Sequence, residues 1–171
     1  MSARLISVNP GPLGASAERY SAAKQADEAV IAAAILEPAL AQFDATALIV
    51  RTLPNPVSKT RARYHGENSH PYFTEQAMLR IRQAGVQHLF VDMPSIDRAD
   101  THGPLINHHL FWDLTTTPSP VPTSQACRRT ITEFVYVPND LSDGDYLLCL
   151  QLPRLAGDAV PSRPLLFRIF H

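Results

Sequence analysis

Two adjacent histidines, His108 and His109, stand in Leu105-Ile-Asn-His-His-Leu-Phe-Trp-Asp113. A lone carboxylate, Glu133, follows 25 positions after the first of them, inside the apolar run Thr130-Ile-Thr-Glu-Phe-Val-Tyr-Val137. Imidazole nitrogen and carboxylate oxygen are the donors that hold zinc or manganese in hydrolytic centres. A carboxylate among Ile, Phe, Val and Tyr carries a desolvation cost unless a cation, a metal or hydrogen-bond donors meet it. Two arrangements suit this spacing. In one, His108 and Glu133 converge on an ion; in the other, the histidines cap a short helix and Glu133 faces solvent.

Further candidates lie upstream, in Asp92-Met-Pro-Ser-Ile-Asp97. Asp92 follows directly on an apolar run, and the end of a parallel strand is where ligands gather in α/β sheets. Asp92, Ser95, Asp97 and His109 are therefore candidates for a substrate pocket, although Asp92 could instead close the turn Met93-Pro94-Ser95. His65 and His70 fall in a polar loop and are expected to be solvated. His88 and His171 read as structural, and His102, in Asp100-Thr-His-Gly103, is an outside candidate. The chain has no glycine-rich phosphate loop and no G-x-S-x-G elbow. No residue type in it identifies a catalytic acid, base or nucleophile.

The elements that must position these residues alternate. Arg4–Val8 is a short apolar strand stopped by Asn9-Pro-Gly-Pro12, with nothing before it to pair or cover it. Residues 13–28 are Ala/Ser-rich and weakly patterned. Ala29–Ile31 reads as a strand fragment leading into a helix over Leu36–Phe43, with Pro38 in its first turn. Ala47–Arg51 is a continuous apolar strand, and residues 52–73 form a loop long enough to serve binding or an interface. Thr74 caps a helix through Ala84, with Ala77, Met78, Ile81 and Ala84 on one stripe and Gly85 as its stop. Val86–Val91 is the next strand. Strand, helix, strand at this spacing is a βαβ unit with parallel pairing. Residues 115–126 are rich in Pro, Ser and Thr and read as an exposed excursion. Strands over 130–137, 146–152 and 165–170, with few helices between them, predict antiparallel pairing. The fold class is therefore α/β, with a βαβ parallel portion and antiparallel C-terminal strands.

Bulk composition narrows the classes. A chain of 171 residues, 45% hydrophobic and 18% charged, suits one domain, 1–171. A net charge of −1 gives no electrostatic case for nucleic acid or an anionic membrane. No apolar run reaches the roughly 18 residues of a membrane span, and the start lacks the layout of a secretory signal. Cys127 and Cys149 have no motif spacing and read as reduced thiols, which predicts a cytoplasmic protein.

In this order, Val91-Asp-Met-Pro-Ser-Ile-Asp97, Asn107-His-His109, Ile131-Thr-Glu-Phe134, Asp143-Gly-Asp-Tyr-Leu-Leu148 and Asp158-Ala-Val-Pro-Ser-Arg163 resemble the metal-dependent cyclase family, which includes bacterial kynurenine formamidases (arylformamidases). Leu48-Ile-Val-Arg-Thr-Leu-Pro-Asn55 and His70-Pro-Tyr-Phe-Thr74 resemble one branch of it. The resemblance runs from about residue 3 onward. It implies a layered β/β/α, swivelling-type domain and a hydrolase using one or two divalent ions, zinc or manganese. The implied substrate is a small-molecule amide such as N-formylkynurenine, which places the chemistry in the kynurenine pathway. His108 and Glu133 take the ligand positions, and His109 falls where other members vary. Family members associate as dimers or tetramers, so a homo-oligomer is expected.

One departure stands against this. The family's His-x-Gly-Thr-His-x-Asp stretch, upstream of the strand corresponding to Arg4–Val8, occurs nowhere in the sequence. The chain thus corresponds to the C-terminal two-thirds of the family's domain, either truncated or a natural relic. Two ligands are too few for a catalytic zinc site. The expectation is therefore an inactive chain that holds an ion weakly or not at all, and the rival is a non-catalytic oligomeric or ligand-binding protein that keeps the fold.

Overall fold

A computed structural model describes residues 1–66, 70–99, 105–114 and 128–169. Its main sheet has six strands: β1 (Ser2–Val8), β4 (Ala47–Thr52), β6 (His88–Val91), β7 (Thr130–Thr132), β8 (Gly144–Gln151) and β9 (Arg163–Arg168), in the order β7-β6-β4-β1-β8-β9. The first four run parallel, and β8 and β9 are antiparallel to their neighbours. A small sheet, β2-β3-β5, joins β2 (Gly11–Pro12), β3 (Ala29–Ile31) and β5 (Tyr72–Phe73). The α/β class, the parallel pairing of β4 with β6 and the antiparallel end of the chain are all as the periodicity indicates.

Side-chain alternation in the strands builds two cores. Ile6, Val8, Leu48, Val50, Leu89 and Val91 face one way. They pack with α1 (Ala33–Leu40), α2 (Glu75–Gln83) and α3 (Ile106–Trp112) through Leu36, Met78, Ile81 and Phe111. Ala3, Leu5, Ile49, Phe90, Tyr146 and Leu148 face the other way, against Val137. Burial of such side chains contributes about 1.5–3 kcal/mol each, so the order β6-β4-β1 is held from both faces. In α2, the Thr74 hydroxyl accepts from Ala77 N–H at 3.1 Å, and Gly85 takes φ 85° just past the last turn.

Three expectations need correction. β1 is not an unpaired edge: β4 flanks it on one side and β8, more than 130 residues later, on the other. The helix expected over 36–43 spans Ala33–Leu40, so Pro38 lies inside it rather than in its first turn. The cap of α1 comes from a distance, because Glu18 accepts from the free Ala33 and Ala34 N–H groups at 2.8 and 3.3 Å. The strand expected over 130–137 stops at Thr132 and pairs parallel with β6. Phe134, at φ 59°, turns the chain there.

Candidate functional site

The four parallel strands end at one edge of the sheet. Just beyond β1, β4, β6 and β7 come Asn9, Leu53, Asp92 and Glu133, which is where α/β sheets place ligands. Two clusters form there.

The first is built on α3. Asp97 is buried, 2% exposed. Its Oδ1 accepts from the Tyr20 hydroxyl at 2.9 Å and from Asn107 N–H at 2.6 Å. Its Oδ2 accepts from His108 N–H at 3.3 Å and lies 2.6 Å from His108 Nδ1. The other ring nitrogen, Nε2, lies 3.5 Å from Glu133 Oε1. The imidazole also packs edge-on against Trp112, one turn along the helix, with ring centroids 5.2 Å apart. Glu133 reaches this point because Phe134 donates its N–H to Met93 O at 2.9 Å and bends the chain. The Glu133 carboxylate then accepts from Ile96 N–H at 3.1 Å. Burial pushes its pKa up, opposed by His108, the Ile96 N–H and the Ser95 hydroxyl.

His108, Glu133, Asp97 and Ser95 therefore meet, with His108 and Glu133 in direct contact rather than on separate surfaces. Ser95 bridges the turn, its hydroxyl accepting from Asp97 N–H at 3.1 Å. His109 lies one residue further round α3, about 100° from His108, and does not join them. His102 falls outside the described residues. Tyr20 and the capping role of Asp97 were not visible in the sequence. Tyr20 sits in a weakly patterned Ala/Ser stretch, and only its being a lone aromatic there hints at burial.

The second cluster surrounds Asp92. Its Oδ2 accepts from Thr52 N–H and from Lys59 Nζ, both at 2.8 Å, and its Oδ1 accepts from the Thr52 hydroxyl at 2.9 Å. The Lys59 ammonium also reaches Thr52 O at 2.7 Å and Thr52 Oγ1 at 2.8 Å, so all three of its donors are used. A cavity of about 320 Å3 beside the pair is lined by Thr52, Lys59, Tyr64, His70, Asp92 and Met93. Burial, and then the charge of Asp92, raise the Tyr64 phenol. His70 is not solvated as its polar loop predicts. It is 7% exposed, with Nδ1 2.8 Å from Pro71 O, and burial lowers its pKa. The missed residue here is Lys59. Its signal was present: lysine occurs only at 24 and 59, among 15 Lys and Arg, and a compact three-donor ammonium suits a closed pocket better than a guanidinium fork.

Among the described residues, no group of three or more His, Cys, Asp and Glu side chains is placed to hold one ion. For the divalent metal that the cyclase resemblance implies, His108 Nε2 and Glu133 Oε1, 3.5 Å apart, would fit part of a coordination sphere. No helix among the described residues is long and apolar enough to cross a membrane.

No family model and no curated protein matches the sequence. Solved structures do. One, described as a potential metal-dependent hydrolase with cyclase activity, aligns with a TM-score of 0.57 at 16% identity, covering 98% of this chain and 65% of its own. Another, a predicted metal-dependent hydrolase from Bacillus stearothermophilus, aligns with a TM-score of 0.56 at 15% identity, covering 96% of this chain and 62% of its own. The chain shares their fold and spans a little under two thirds of their length.

Proposed function

We propose that this chain carries part of the site of a metal-dependent amide hydrolase of the cyclase type, with arylformamidase-like substrates such as N-formylkynurenine. His108 Nε2 and Glu133 would be two ligands of a divalent ion, zinc or manganese. The observation that carries this reading is the 3.5 Å approach of those two donors, with the other imidazole nitrogen already engaged by Asp97. A bound ion of this kind acidifies water and polarises a carbonyl. What the chain's own residues do is narrower. Asp97 and Trp112 orient the imidazole, and the Ile96 N–H and Ser95 hold the half-buried Glu133 carboxylate.

The small number of donors favours a second reading for the chain as it stands, that of a ligand-binding or non-catalytic protein on the same fold. A two-donor site binds an ion weakly, and its affinity depends on pH because the imidazole must be neutral. Calorimetric titration of the metal-free protein with Zn2+ tests the ligand assignment. One weak site is expected in the parent, absent from both His108→Ala and Glu133→Ala. Equal binding by the parent and both variants would remove these residues from the metal site. Turnover of N-formylkynurenine by the 171-residue chain is expected to be negligible, and clear turnover would contradict the inactive reading.

A further inference from the structure

We infer that Asp97 is the positioning residue for His108, locked in turn by Tyr20, and that neither meets substrate or metal. This rests on the proposed role of His108 as the ion-facing imidazole. It begins from a count of lone pairs. An ionised carboxylate offers about four acceptor sites, and Asp97 has four partners: the Tyr20 hydroxyl and Asn107 N–H on one oxygen, His108 N–H and Nδ1 on the other. Nothing remains for a ligand, although Asp97 lies in the turn where the sequence places a substrate pocket.

The same four bonds explain how α3 carries its imidazole. The first N–H groups of a helix lack intrahelical partners, and the capping position here is Leu105, which makes no side-chain cap. Asp97 supplies that cap from outside the helix, through Asn107 and His108, and it meets the His108 ring with the same oxygen that accepts the His108 N–H. An Asp or Ser at position 105 would have capped the helix as well. Asp97, beside the helix, does more than cap, since it also reaches Nδ1. With the proton held on Nδ1, the bare lone pair is on Nε2, the nitrogen that faces Glu133.

Tyr20 fixes the carboxylate. It is 4% exposed and packs against Tyr72 with ring centroids 4.7 Å apart, and its hydroxyl also accepts from Arg98 N–H at 3.4 Å. Burial, then the negative charge of Asp97, holds its phenol far above the ordinary range, so it remains a donor. Tyr20 thereby ties the segment ahead of β3 to a helix nearly ninety residues later.

Long-range 1H–15N spectra of metal-free protein, taken where the imidazole is neutral, report the tautomer directly. His108 is expected to show one tautomer, protonated at Nδ1. Asp97→Asn keeps a good helix cap but lets an amide NH2 face Nδ1, so the tautomer should become mixed or reversed and Zn2+ affinity fall about 10–100-fold. Tyr20→Phe, which removes one hydroxyl, should give a smaller shift in the same direction with the circular dichroism spectrum unchanged. A parent His108 protonated at Nε2, or variants with unchanged tautomer and affinity, would overturn the inference. The expected tautomers with no Zn2+ binding by the parent would uphold it and remove the hydrolase reading instead.

Discussion

Asp92 and Asp97 stand at the two ends of one turn, 4% and 2% exposed, and each has both carboxylate oxygens hydrogen-bonded. They are satisfied by different means. Asp92 is answered by an ammonium and by one threonine, which supplies both its N–H and its hydroxyl. Asp97 is answered by a phenol, two free helix N–H groups and an imidazole. The first arrangement neutralises charge and pins the long loop after β4 to the sheet edge. The second spends the charge on orientation, because its partners include a ring whose far nitrogen must point somewhere. Two buried carboxylates five residues apart thus serve as a latch and as an aiming device.

The latch should be the more costly to break. Lys59→Met leaves Asp92 buried beside apolar atoms, and losing one member of a buried pair costs about 3–5 kcal/mol. Chemical denaturation should show that loss. The double variant Lys59→Met/Asp92→Asn should recover most of it, because replacing both charges removes the uncompensated one. A double variant no more stable than the single would mean that the pair acts through packing alone.

The aiming device should cost less in stability and more in geometry. Asp97→Ala strips the cap from α3 and leaves the Tyr20 hydroxyl without its acceptor. Loss of a cap and of charge-assisted bonds predicts a destabilisation of about 2–3 kcal/mol, smaller than for Lys59→Met. Hydrogen exchange should show the added opening concentrated at α3, where Phe111 anchors the helix in the core. Uniform loss of protection across the sheet would place Asp97 with Asp92, as a latch.

How much of this the sequence disclosed depends on how local the physics is. The Thr74 cap, the Ala77–Met78–Ile81 stripe and Gly85 specify α2 within a dozen residues, and the apolar runs at 47–51 and 86–91 specify buried parallel strands. The nearness of His108 to Glu133 was one of two open arrangements, because spacing says nothing about a bend at a non-glycine residue such as Phe134. The central place of β1 was hidden, since its second partner, β8, lies at the far end of the chain. Asp97 reads as a ligand contact in the sequence because its four partners come from two other segments, one of them Tyr20, 77 residues upstream. Tyr20 carries no local pattern, and Lys59 is marked only by the rarity of lysine in the chain.

The two clusters also hold different imidazoles, and pH separates them with the smallest effect of the three. His108 faces carboxylates at Asp97 and Glu133, whereas His70 faces a backbone carbonyl, Pro71 O. Around His70 stand the Tyr64 ring, with centroids 6.1 Å apart, and across the shared cavity Lys59 and Asp92, whose charges offset one another. Burial outweighs the hydrogen bond to Pro71 O, which favours the protonated ring, and lowers the His70 pKa below its ordinary value of 6.5. As pH falls through that value, the unfolded chain takes up a proton at this residue before the folded one does. Stability contributed by neutral His70 is therefore complete above about pH 6.5 and is lost as pH drops toward the lower folded value. The thermal midpoint of the parent minus that of His70→Gln should shrink over that interval and stay flat from pH 7 to 8. A difference that grows on acidification would mean that His70 gains a partner for its charged form, which would give the Asp92 cluster the electrostatic character assigned here to the Asp97 cluster.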